Sequence, residues 1–162
     1  MATVLGPRDG KSVSLGSVGV RFMIGGDSSG GGFALVEHPM VPHGLAAPLH
    51  RHSREDEYSY VLEGRVGALL GGEVVYGDPG DLIFKPRGQW HTFWNAGDEP
   101  ARILEIISPA GFERFFAELT AGGPPDPAAM VAGAARYGAE VDLASVPKLI
   151  EEYGLVFGPS AH

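Results

Sequence analysis

The chain has 162 residues, with 44% hydrophobic, 20% charged and 9% aromatic residues, a composition that excludes a disordered chain or a coiled coil. Twelve Lys and Arg against twenty Asp and Glu give a net charge of −8, and no basic cluster is long enough to track a phosphate backbone, so nucleic acid is not an expected partner. Cysteine is absent, which excludes disulfides, thiolate nucleophiles and Cys-type zinc or iron–sulfur sites.

The first residues lack the basic start and apolar run of a signal peptide, and no window reaches the length of a membrane span. A cytoplasmic protein without membrane contact is expected. With 25 glycines and 13 prolines, the chain must be built from short elements and many turns, which points to an all-β architecture. Val13, Leu15, Val18, Val20, Phe22 and Ile24 are spaced mostly by two, the period of a half-buried strand. A glycine-rich loop at 27–32 follows, then a strand at Phe33–His38. Further strands are expected at Glu57–Leu62, Arg65–Leu70, Glu73–Tyr76, Leu82–Lys85, His91–Asn95 and Arg102–Ile107. Turn signals at Gly71-Gly72, 77–80 and Gly97-Asp98 separate them in the rhythm of a sandwich or barrel.

From Ser108 the period changes. Ser108-Pro109 offers an N-cap and a first-turn proline, and Phe112, Phe115, Phe116 and Leu119 fall at helical spacing. Gly122, Gly123, Pro124 and Pro125 end that helix. Asp126-Pro127 starts a second, with Gly138 as its stop, and Val146, Leu149, Ile150 and Tyr153 form the stripe of a third, closed by Gly154. The chain therefore reads as one domain over 1–162, a barrel at about 12–108 with short helices at about 109–157 packed on it.

His50 and His52 are one residue apart, so on a strand both rings share a face. Glu57 opens the next strand and His91 begins a later one. Neutral imidazoles and one carboxylate suit a divalent transition metal such as Fe, Mn, Ni, Cu, Co or Zn, and leave positions open for substrate. His38 and His43, beside Pro39 and Pro42, are expected in surface loops, and His162 as a chain end needs no role. If His91 points inward, so do Phe93 and Asn95; Phe93 is then a pocket wall or ordinary core, and Phe84 a second candidate wall. Arg87 and Gln89 read chiefly as solvated loop residues, with a rim contact to substrate as the alternative. Tyr58, Tyr60, Leu62, Trp90 and Trp94 alternate away from the ligand face, so they need cover from a homodimer partner or from the C-terminal helices. The Val13–Ile24 strand is a second candidate for the dimer contact.

Two spacings complete the pattern: Gly44-x5-His50-x-His52-x4-Glu57-x6-Gly64, and Gly80-x5-Pro86-x-Gly88-x2-His91-x3-Asn95. Together they resemble the paired motifs of the cupin superfamily, in the single-barrel arrangement of the quercetin-dioxygenase-like group. The resemblance implies a double-stranded β-helix, or jelly roll, with His50, His52, Glu57 and His91 as ligands to one metal. It implies a metal-dependent dioxygenase acting on a small organic substrate, with Glu57 also able to act as base. A metal-dependent isomerase or epimerase, or a non-catalytic small-molecule-binding module, would use the same barrel.

Overall fold

A computed structural model describes residues 3–123 and 126–159. Eleven strands are present among them: β1 (Ser12–Ser14), β2 (Gly19–Ile24), β3 (Ala34–Met40), β4 (Leu49–His52), β5 (Asp56–Glu63), β6 (Val66–Leu70), β7 (Glu73–Gly77), β8 (Leu82–Lys85), β9 (His91–Asn95), β10 (Ala101–Ser108) and β11 (Ala139–Asp142). The helices are a single turn α1 (Gly26–Ser29), then α2 (Glu113–Ala121), α3 (Pro127–Arg136) and α4 (Ser145–Tyr153). The strands form two antiparallel sheets, a larger one in the order β1-β2-β3-β10-β5-β8 and a smaller one in the order β11-β4-β9-β6-β7. This is the expected double-stranded β-helix with short helices packed on it.

Strict alternation builds the inner faces. Along β10, Ala101, Ile103, Glu105 and Ile107 are buried, and on β5 so are Glu57, Ser59 and Val61. Ile107 lies opposite both Ala34 and Glu57, and Glu57 opposite Lys85, so one row crosses the large sheet on a single face. One core cluster, including Val61, Val66, Ala68, Ile83, Phe93 and Ile103, fills the space between the sheets.

The C-terminal region departs from the expectation of helices alone. Ser108 is the last residue of β10, and helix α2 begins only at Glu113. Ser108 is held in the sheet instead, paired with Asp56 and donating its hydroxyl to the Gly32 carbonyl, so it caps no helix. After Gly138, with φ of 77°, the chain re-enters the small sheet as β11 and pairs with β4. Asp126 caps α3 as expected, its carboxylate accepting from the Ala129 amide, and Gly154 closes α4 in the left-handed region. Pro124, Pro125 and His162 lie outside the described residues.

Helix α4 lies over the outer face of the small sheet. Trp94 is 2% exposed there, stacked on Tyr153 at 4.6 Å between ring centres and packed with Leu45, Leu149 and Leu155. A Cβ at Gly67 would come within 2.4 Å of the Trp94 indole, so this packing requires glycine. The cover of Trp94 therefore comes from its own chain. Helices α2 and α3 instead join Val20, Ala34, Val36 and Ile107 in a second core and roof one end of the barrel.

Candidate metal centre and chamber

The short strand β4 buries His50 and His52 and turns Arg51 outward, where its guanidinium lies over Trp90. His50 pairs directly with His91 of β9, so three imidazoles gather on the inner face of the small sheet. A potential ligand atom from each lies within 4.8 Å of the others. Ring centres are 4.4 Å apart for His50 and His91, and 5.1 Å for His50 and His52. The other ring nitrogens are tied back: His50 Nδ1–H donates to the Pro48 carbonyl at 2.7 Å and His91 Nδ1–H to the Gln89 carbonyl at 3.1 Å. That fixes the tautomer that frees Nε2 for a metal.

Glu57 reaches the same point from the facing sheet, with Oε1 2.6 Å from His52 Nε2 and Oε2 3.9 Å from His91 Nε2. Despite this proximity, the alignment makes no hydrogen bond, and the buried Nε2 atoms of His52 and His91 have no hydrogen-bond partner among the described residues. Unpaired nitrogens so deeply buried are costly, and a cation between them and the carboxylate is the natural remedy. The donor set fits a divalent transition metal.

Charge is distributed unevenly across the cluster. Burial opposes a charge on His52, but Glu57 and Glu55 outweigh it and lift its pKa to about 9. Burial, joined by the charge on His52, holds His50 down to about 4. Burial also holds His91 well below the ordinary imidazole value, with His50 adding to the effect. Burial would raise Glu57, yet His52 and Lys85 keep it well below the usual carboxylate range.

A second group of side chains, on the large sheet, stands behind Glu57. Lys85 is fully buried, with Nζ 2.6 Å from Glu105 Oε1 and 3.3 Å from Glu57 Oε2, and it sits 4.4 Å from the centre of the Phe93 ring. Ser59 donates to the other oxygen of Glu105. Burial disfavours the ammonium, but Glu105 and Glu57 more than compensate, so Lys85 stays charged. Burial pushes Glu105 up to about 8, with Lys85 opposing the shift and Glu57 adding to it.

Beside the histidines opens a cavity of about 210 Å³, walled by Phe93 from the barrel and by Phe112, Phe115, Phe116 and Met130 from the roof. Phe112 packs edge-on against His52 at 4.3 Å, joining roof to metal centre. Phe93 is therefore both core and chamber wall.

Two expectations need correction. His38 is no surface residue: β3 runs through Pro39 to Met40, and His38 is buried at 5% exposure and lines the chamber. Proline fits there because residue 39 is an exposed position of the strand. Phe84 is no chamber wall, because it alternates with inward Lys85; it is 47% exposed and stacks on Tyr58 outside. Arg87 is the solvated surface residue expected, held by Asp56 at 2.9 Å, and does not line the chamber. His43, as expected, lies in a surface loop, half-buried and paired with Asp98. Lys85 and Glu105 were absent from the expected site, although alternation from Glu57 and Ile103 places both on the inner face.

No described helix is long and apolar enough to cross a membrane. A family model described as a Cupin domain matches residues 37–107, the stretch holding all four expected ligands. The chain is 29% identical over 109 residues to the tetracenomycin polyketide synthase protein TcmJ of Streptomyces glaucescens, covering 67% of this chain and 73% of that protein. Other curated relatives are matched over about half of their length or less. Among solved structures, the polyketide cyclase RemF from Streptomyces resistomycificus is 30% identical with a TM-score of 0.57, over 67% of this chain and 80% of that one. KdgF from Halomonas sp. shares the fold, with a TM-score of 0.61 at 16% identity over 70% of this chain and 99% of that one. Residues 37–107 therefore carry a cupin domain, and the two-sheet barrel with three buried histidines between its sheets agrees with that match.

Proposed function

We propose that the protein is a metal-dependent enzyme acting on a small, hydroxylated and largely apolar molecule. One divalent transition metal is held by His50, His52 and His91, with Glu57 as fourth ligand. The observation that carries this reading is a three-histidine cluster whose His50, together with Glu57 from the opposite sheet, borders an aromatic chamber. A bound metal supplies Lewis acidity, and four protein ligands leave exchangeable positions for substrate oxygens. Fe, Mn, Ni, Cu, Co and Zn all suit such donors.

The chain's own groups do the rest. The phenylalanines of the roof and barrel orient a flat skeleton and exclude water. Glu57 takes the proton of a substrate hydroxyl, and Lys85 steadies its second oxygen.

Among the reactions open to this arrangement, we propose an oxygen-consuming oxidation of the dioxygenase type. The names of TcmJ, a polyketide synthase protein, and RemF, a polyketide cyclase, support a polyketide-type substrate, and the phenylalanine walls of the chamber suit a flat one. RemF also favours a second reading, in which the same proton removal drives cyclisation or isomerisation without oxygen. We further propose a homodimer that covers the outer face of β5 and β8, where Tyr60, Leu82 and Phe84 are 41%, 56% and 47% exposed.

Metal analysis of protein purified without added metal should find close to one metal per chain, lost in His91→Ala while the β-sheet circular dichroism persists. Oxygen uptake is then measured with flavonols, dihydroxynaphthalenes and β-diketones, the products being identified. Conversion without oxygen consumption moves the assignment to the second reading. A metal-free wild type that stays empty when supplied with each ion overturns both.

A further inference from the structure

The polar side chains on the chamber wall are Ser17, His38, His50 and Glu57. Ser17 is already satisfied, donating to the Leu45 carbonyl at 2.8 Å and accepting from the Gly158 amide at 3.1 Å. His50 and Glu57 belong to the metal centre. His38 remains.

Strand β3 holds His38 opposite Ile103, on the inner face of the large sheet. Its Nδ1 lies 3.0 Å from the Gly19 carbonyl, which can only accept, so Nδ1 carries the proton. Nε2 is then a lone-pair acceptor with no partner among the described residues. Burial keeps this ring neutral, lowering its pKa to about 4, with the Gly19 hydrogen bond acting in the opposite direction. Phe116 meets the ring edge-on at 5.4 Å from the roof, and Phe93 lies 6.0 Å away in the barrel. A rigid, neutral acceptor set between two aromatic rings suits one ligand feature in particular: a hydroxyl group on the edge of a flat, apolar skeleton.

We propose that His38 Nε2 is a second anchoring point of the chamber, accepting a hydrogen bond from a phenolic or enolic hydroxyl of an aromatic ligand whose ring lies among Phe93, Phe112 and Phe116. This rests on the reading of the chamber as the substrate site, and deepens it by naming the substrate's chemistry. The anchor itself needs no metal, which separates the two ideas experimentally.

Binding of 1,3-dihydroxynaphthalene and of its dimethyl ether is measured by calorimetry on metal-free protein. The ether keeps the ring but has no proton to donate. Wild type should bind the diol about tenfold more tightly than the ether, the scale of one neutral hydrogen bond. His38→Phe keeps an aromatic ring and removes the acceptor, so it should weaken the diol about tenfold and leave the ether unchanged, erasing the preference. His38→Gln, which restores a carbonyl acceptor, should recover part of it. Equal binding of diol and ether by wild type overturns the proposal, as does a preference that survives in His38→Phe, or the absence of binding by either compound. If His38→Phe does not fold, the wild-type preference and its partial retention in His38→Gln decide. Failure of the metal reading would appear separately, as protein that takes up no metal while the diol preference stands.

Discussion

The two sheets of the barrel contribute opposite kinds of chemistry to the space between them. The small sheet presents His50, His52 and His91, three imidazoles with two of their Nδ1 atoms tied to backbone carbonyls. The large sheet presents Glu57, Glu105 and Lys85, a buried charged set joined side chain to side chain. One face is arranged to receive a cation from outside the protein, whereas the other already contains one. Glu57 stands at the border, shared between the Lys85 ammonium and the histidine cluster. The difference teaches that a buried carboxylate facing a histidine cluster can have a counter-charge of its own behind it.

The largest effect should come from breaking the large-sheet set. Lys85→Met removes the only cation that set contains and leaves two buried carboxylates. We expect a loss of about 3 kcal/mol, the low end for breaking a buried pair, because Glu105 can take up a proton. Chemical denaturation of the metal-free protein measures it, and adding Glu105→Gln should recover part of the loss. No change in midpoint would mean that the two sheets are not electrostatically distinct.

Glu57→Gln tests the border. It keeps the size, removes the charge and should reduce turnover about 10²-fold at matched metal occupancy, equivalent to about 2.7 kcal/mol in the barrier. The assay follows consumption of whichever hydroxylated aromatic the oxygen panel shows to be converted. Equal turnover would limit Glu57 to holding the metal.

The smallest effect is a pH dependence. His38 has its pKa lowered from 6.5 to about 4 on folding. Between those values the unfolded chain binds the proton and the folded chain does not, so stability falls as pH drops through this window. His38 alone should remove about 2 kcal/mol between pH 7 and pH 5, and His38→Gln should flatten the curve by that amount. His50, lowered to about 4 by burial and by His52, adds a similar slope. Urea unfolding of the metal-free protein at stepped pH reads both.

The same contrast governs what could be read in advance. The strands from β5 to β10 were legible to within two residues, because alternation and paired turn glycines repeat so regularly there. The histidines were legible because their spacing is specific. Lys85 and Glu105 were hidden by type: charged residues are ordinarily exposed, and only the register of both strands against Glu57 reveals them as inward. His38 was obscured by Pro39, which marks an exposed strand position there and not the start of a loop. Strand β11 was masked by the glycine at 138, whose left-handed turn ends a helix and begins a strand in the same step. The roof of the chamber was beyond reach, since helical spacing in 112–119 says which face is apolar but not what it covers.

That roof has a consequence for how such a protein can change. The family match ends at residue 107, whereas Phe112, Phe115, Phe116 and Met130 all lie beyond it. The histidine cluster and the roof of the chamber therefore lie in successive stretches of one chain, which meet after Ser108. Substitutions in the second stretch can reshape the roof while the first keeps its histidines, so the shape of the chamber and the donor set can vary separately. Phe112 is the exception: seated on the His52 ring, it binds the two inheritances together.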